Sequence, residues 1–417
     1  MLRAGSLYYA LLISLIISII CSLMIGLAFM SRAFFIHSDQ QEKVLDNSRS
    51  GIEFLLSKQS NFDDRDWEMD LFKGGADTVR LKKRNWGLFQ ILISKARFKR
   101  NSYSQTAIAG FLSPEFDSVA VWLADRNRPL LVSGEALLRG NLHISAKGID
   151  RAYIEGKNYT RRQLFYGKLK RSKPVLPKIE IDYKEYWGGY LDGKYREVDS
   201  VLDFSNLREA KQSHPFLKKT ILYHSEEPII LSDVELKGNI IIHSDKEIVV
   251  NSSTYLDQIV LIAPNISING AKGSRIHALA KDSIILENKS LLNYPSSLLL
   301  VNNKMQNGNI KISTGCQFKG NIMVLEERSN RRNNFISLNI VNGAEVWGDI
   351  YCQGNLQLNG KVKGTVFTNN FLLTTASGIY ENHILDGKVE GTFLGSDYGG
   401  FYFDSKGGSP IIVDWIK

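Results

Sequence analysis

Four carboxylates, Asp282, Glu287, Asp349 and Asp386, and the seven histidines, His37, His143, His214, His224, His243, His277 and His383, are the side chains of this 417-residue sequence best suited to chemistry. Glycoside cleavage needs two carboxyl groups flanking one bond, one to protonate the leaving oxygen and one to attack or activate water. The four acids form no repeated, paired pattern. Histidines that hold a metal recur at short ligand spacings. None of the seven does, and His243 and His277 flank strand-like runs as stacked residues of a repeat. The acidic run Asn61-Phe62-Asp63-Asp64-Arg65-Asp66-Trp67-Glu68 lacks the central Gly and terminal Glu of a calcium loop. No nucleophile elbow, phosphate loop or dinucleotide fingerprint occurs. The expectation is a protein that is not an enzyme, with no catalytic residue, no metal and no cofactor. Cys21, Cys316 and Cys352 give no disulfide framework and read as free thiols. The net charge of +9 is mild for this length and suits a surface near anionic lipid or polymer. Basic and aromatic residues alternate in Ala96-Arg97-Phe98-Lys99-Arg100, which reads as the outward face of a strand, so no nucleic acid is expected as a partner.

The elements that organise these residues begin with a membrane segment. Leu7 to Met30 is 24 residues without a formal charge, longer than the ~20 needed to cross the bilayer core. It is too long for a cleaved secretory signal, and Ser18-Ile19-Ile20 before Cys21 is not the small-residue context of a lipoprotein signal. Residues 1–30 therefore read as a short leader and retained single-pass span, and 31–58 as an amphipathic helix continuing it, with Leu45, Ile52, Leu55 and Leu56 on one face. Arg3 on one side nearly balances Arg32, Lys43 and Arg49 on the other. The tiny leader and the large strand-rich remainder favour a translocated C-terminus. Within the span Ser14, Ser18 and Ser22 fall four apart on one stripe, where hydroxyls let helices approach closely or return a hydrogen bond to their own backbone.

The Arg-containing leader ending in Gly5, the long apolar stretch, and the closing Asn47-Ser48-Arg49-Ser50-Gly51-Ile52-Glu53-Phe54 resemble the N-terminal helix of type IV pilin-like proteins, of the minor pilin or pseudopilin type. The resemblance covers about the first 58 residues. It implies leader cleavage after Gly5, with Ser6 as the first mature residue. It also implies a location in the bacterial cytoplasmic membrane, a periplasmic or extracellular C-terminal region, and partnership with lipid and other envelope subunits. The fifth residue from Ser6 is Ala10, where most members carry glutamate. That departure points away from the repeating shaft subunit and toward an accessory, tip-type component.

Beyond the helix, 59–130 reads as a small β-rich domain. Its hairpin joins the runs 77–83 and 88–94 through Asn85-Trp86-Gly87. From about 131 to 394 a unit of apolar-x-apolar-x-Gly-polar-apolar recurs, with its turn glycine at Gly140, Gly238, Gly320, Gly348, Gly364 and Gly391. Gly348 to Gly364 is a step of 16, while Gly320 to Gly348 and Gly364 to Gly391 are 28 and 27, as if coils carried inserted loops. Such self-similarity is a solenoid signature. The fold class is mainly β: a right-handed β-helix behind one long N-terminal helix, with an antiparallel sandwich as the alternative. Residues 174–230, rich in Tyr183, Tyr186, Trp187, Tyr190 and Tyr195, read as an insertion capping a solenoid end. Residues 395–417 read as a Gly-rich cap in which Tyr398, Phe401 and Tyr402 fold over the last coil. The repeat resembles the bactofilin family over about 170 residues, which implies a scaffold that self-associates end to end. A polysaccharide-binding or -cleaving β-helix is the remaining alternative.

Overall fold

The computed structural model describes residues 4–57, 67–70, 77–195, 200–207, 210–302, 308–326, 334–391, 398–404 and 408–416. The acidic run at 61–66, the last repeat's Thr392-Phe393 and Gly395 lie outside the described residues. The chain is mainly β and carries one long N-terminal apolar helix. It divides into two compact units.

The first unit comprises residues 1–58, 64–82 and 93–105. Its helix α1, Ala4–Ser57, is 54 residues without a proline, a length of about 80 Å at 1.5 Å per residue. From Val44 onward one face is buried: Val44, Asn47, Ser48, Gly51, Ile52 and Leu55. This is the i, i+3, i+4, i+7 stripe of a docked helix. The stripe is rotated from the expected one. Leu45 is exposed and Leu56 only half-buried, because the closest approach is made by small residues. A Cβ at Gly51 would press on the Ser94 hydroxyl and on Leu81 and Val79. The Ser48 hydroxyl donates to the Ser94 carbonyl at 3.2 Å, and Asn47 Nδ2 donates to Asp77 at 3.3 Å. The strands are β1, Trp67–Met69, antiparallel to β2, Asp77–Trp86, followed in the sheet by β3, Phe89–Phe98, and β4, Asn101–Leu112. β2, β3 and β4 are each divided between the two units.

The second unit holds the repeats, in three ladders of short parallel strands that the chain visits in turn. In one ladder Leu236, Leu256, Gly273, Leu292, Phe318, Val346, Val362, Val389 and Leu138 stand in single file. The next carries Leu261, Ala278, Leu298, Ile322, Ile350, Val366, Val121 and Leu142. The third runs through Ile248, Ile266, Ile284, Ile310, Leu338 and Leu356. Alternation along each short strand aims these residues inward, and they form one continuous core.

The order of stacking departs from a simple linear repeat. The ladders begin at Val119, and strands from 119–171 stack beyond the last coil: Leu137–Arg139 pairs with Lys388–Glu390, and Val119–Leu123 with Val366–Thr374. Residues 174–230 are not one insertion. Ser200–Asp203, Lys211–His214, Ile221–Ser225 and Ile229–Leu231 are already ladder strands. Before them lies the helix α2, Tyr183–Leu191, capped by Asp182, which accepts from the Glu185 amide at 2.9 Å. Its aromatic rings grip the β2–β3 turn instead of capping a coil. The Tyr183 hydroxyl donates to the Leu88 carbonyl at 2.9 Å, and the Trp187 indole to the Gly87 carbonyl at 3.0 Å.

The C-terminal segment also departs from a cap. Ser409–Ile416 pairs antiparallel with residues 106–112 of β4. Tyr398 stacks near Tyr294, and Phe401 and Phe403 pack on Tyr351. The physical reason is plain. The edge of Lys388–Glu390 is occupied by Leu137–Arg139, so no open coil edge is left there to cover. The enlarged glycine step between Gly364 and Gly391 is the antiparallel hairpin of Val366–Thr374 with Ile379–Glu381.

Candidate functional site

In α1 the first half is built to be covered by something other than water. Every large apolar residue from Leu7 to Ile36 is exposed, Ile25 at 71% and Phe29 at 74%. A surface of that extent marks a lipid or protein contact. By length and composition the helix can cross a membrane. Gly5 and Ser6 lie at the start of the helix. The Ser14 hydroxyl donates to the Leu11 carbonyl at 2.8 Å, the local bond expected of a serine in an apolar helix. Ser18 and Ser22, with Gly26, line a shallow groove of about 490 Å³ along the helix.

In the second unit Gly320, Gly348 and Gly364, named from the repeat, stand over one another. Gly140, Gly238, Gly320, Gly348 and Gly364 have positive φ, a region other residues rarely adopt. A Cβ at Gly320 would run into the Ser296 carbonyl, at Gly348 into the Gly320 carbonyl, and at Gly364 into the Gly348 carbonyl. Gly391 meets the backbone of Ala120 in the same manner. The spacing of paired strands leaves no room for a side chain at these positions.

Of the four carboxylates, Asp386 and Asp349 have separate partners. Asp386 accepts from the Glu135 amide at 2.9 Å and pairs with Lys157 at 2.6 Å, and against the upward push of burial these, with the Lys388 charge, hold its carboxyl below the usual range. Asp349 accepts from the Thr365 amide at 3.0 Å, and burial pushes its carboxyl up to about 6. Its amide donates to the Tyr398 hydroxyl at 2.7 Å, which donates in turn to Asn321 Oδ1 at 2.5 Å. His277 is fully buried beside Phe89, bonds Ser297 through Nδ1 at 2.8 Å, and is pushed down to about 3 by burial. Cys316 and Cys352 are buried free thiols held up by burial, and Cys21 is free on α1. Among the described residues His224, His243 and Asp245 converge closely enough to share an ion. Motif spacing misses them because the histidines are 19 apart in the chain. Aligning Ile221-Leu222-Tyr223-His224-Ser225 on Ile240-Ile241-Ile242-His243-Ser244 is the signal that finds them, and the strands pair in that register.

No family model and no curated protein sequence matches this chain. Among solved structures it is similar to the competence-associated pilin ComZ from Thermus thermophilus. The identity is 9%, over 91% of this chain and 97% of that one, with a TM-score of 0.26.

Proposed function

We propose that this chain is a non-enzymatic, membrane-anchored structural subunit: an accessory, tip-type component of a type IV pilus-like or secretion-type envelope assembly. The observation that carries the reading is in α1. One uninterrupted helix exposes an apolar half long enough to span a bilayer and buries one face of its other half on its own unit. A removable signal has no reason to continue into a docked helix. The helix anchors the subunit in the bacterial cytoplasmic membrane, the remainder is translocated, and its partners are lipid and other pilin-like subunits. Cleavage after Gly5, leaving Ser6 as the new terminus, and helix packing through Ser14, Ser18 and Ser22 belong to this reading. The three parallel ladders support the right-handed β-solenoid that the repeat implies.

Protease added to intact spheroplasts tests the orientation. A C-terminal tag is expected to be digested without lysis, and a tag protected until lysis rejects the reading.

A bactofilin-like scaffold is the second reading. It is favoured by the exposure of the outermost ladder strands, Leu169–Arg171 and Ser200–Asp203, whose edges are templates for another copy. The chain lacking residues 1–36 separates the two. Filaments support the scaffold, and stable monomers support the pilus-like subunit.

A further inference from the structure

We propose that His224, His243 and Asp245 form a binding site for one divalent transition cation of the zinc class, a site that staples adjacent coils of the repeat. His224 and His243 are direct partners across the parallel strands Ile221–Ser225 and Ile240–Ser244. Their rings stack with centroids 5.2 Å apart and planes 24° from parallel, so their edges point the same way. Asp245 follows immediately after the second strand and turns its carboxylate toward those edges. Its Oδ1 lies 3.1 Å from His224 Nε2 and 3.9 Å from His243 Nε2. A tetrahedral ion with bonds of about 2.0–2.1 Å holds its ligand atoms about 3.3 Å apart. The two separations bracket that edge, and the three ligand atoms lie within 4.8 Å of one another.

The surroundings fit the same chemistry. His243 is 2% exposed and engages the Tyr195 hydroxyl through Nδ1 at 2.5 Å. Metal-bound histidines are oriented by such a bond on the far ring nitrogen, and it leaves Nε2 for the ion. The Tyr195 ring packs against both imidazoles. Two imidazoles and one carboxylate select zinc, cobalt or nickel over calcium and magnesium, which take oxygen ligands. The cluster opens on a cleft of about 530 Å³ shared with Asp192, Pro264 and Lys281, which leaves room for a fourth ligand such as water. Lys281 is the nearby cation, and it is engaged by Asp192 at 2.6 Å.

The consequence for the fold follows from position. His224 is also the register partner of Asp203 in the outermost strand on that side. An ion here ties two coils together next to an end of the ladders, where a coil has a neighbour on one side only. The plain alternative is a surface ion pair between His224 and Asp245, which needs no metal.

The test uses the untagged full-length chain in detergent after dialysis against chelator. Titration with Co²⁺ is expected to give the visible absorption of a tetrahedral site, saturating at one equivalent and displaced by Zn²⁺. Asp245→Asn and His243→Gln should each weaken binding by about tenfold or more, while His214→Gln, on the neighbouring strand Lys211–His214, should bind as the parent does. Zn²⁺ should raise the Tm of the parent and not that of Asp245→Asn. No saturable Co²⁺ signal, or equal binding by the parent and Asp245→Asn, overturns the site. His243 is buried and its substitution can disturb folding, but Asp245 lies at the surface, so its variant decides alone.

Discussion

Asp349 is the residue whose environment departs furthest from what its type suggests. A carboxyl on the turn after Gly348 reads as a solvated acid. Here it sits beside Tyr398 and the Thr365 amide, and burial holds it at about 6. The folded chain therefore keeps a proton that the unfolded chain, at about 3.9, has already released. Wherever the native state binds more protons, stability falls as pH rises. The penalty is absent below about pH 4, grows between 4 and 6, and is constant above. At ~1.4 kcal/mol per unit it reaches up to about 3 kcal/mol. Asp349→Asn keeps an acceptor for Thr365 and removes the ionisation. Its Tm minus that of the parent should therefore widen from pH 4 to pH 6.5 and then level off. A difference that does not change with pH would mean the carboxyl titrates normally. Nothing in the sequence around Asp349 announced this, because Tyr398 arrives from 49 residues away. The turn glycines were legible, since all but Gly391 of the six carry their own local requirement for positive φ. His224 and His243 were not legible from motif spacing, because their proximity is a property of the register between coils and emerges only when the two strand sequences are aligned.

At the scale of elements, α1 divides into an exposed apolar half and a docked half. Its first half offers large side chains to its surroundings. Its second half docks through Ser48 and Gly51, the residues with least side chain. Composition alone makes the helix and its length legible. Ile52 and Leu55 lie on the docked face as expected, but the face is rotated away from Leu45 and Leu56, which outweigh glycine in a reading by hydrophobicity. Gly51→Leu tests the corrected face. A Cβ there already meets Ser94, Leu81 and Val79, and overpacking of a close contact costs typically about 1–3 kcal/mol. Amides of 44–57 should exchange faster by about tenfold or more, the equivalent of ~1.4 kcal/mol. Leu45→Ala, on the exposed side, should leave them within a factor of about two. Equal effects from both substitutions would return the docked face to the leucine stripe.

The whole molecule is governed by the order in which coils stack. The repeat made the coils visible but carried no address. Ala136-Leu137-Leu138-Arg139-Gly140-Asn141-Leu142 reads as the opening coil of a linear array, yet Leu138 stacks after Val389. The Thr365 hydroxyl donates to the Val119 carbonyl across 246 residues of chain. The first coils therefore gain their neighbours on one side only when the last have formed, a long-range closure of the kind that slows folding. The same order makes the stack separable. In a nearest-neighbour array a fault between two coils weakens what lies beyond it and spares what lies behind. Val389 is fully buried between Val362 and Leu138. An Asp in its place puts an unpaired carboxylate, or its neutral acid, in an apolar column at a cost of several kcal/mol. In the full-length Val389→Asp chain, amides of 137–144 should lose protection by about tenfold or more, while those of 240–262 stay within a factor of about two. Equal loss in both would mean that all the coils unfold as one. Loss confined to 361–390 would mean that the early coils hold their place without the late ones.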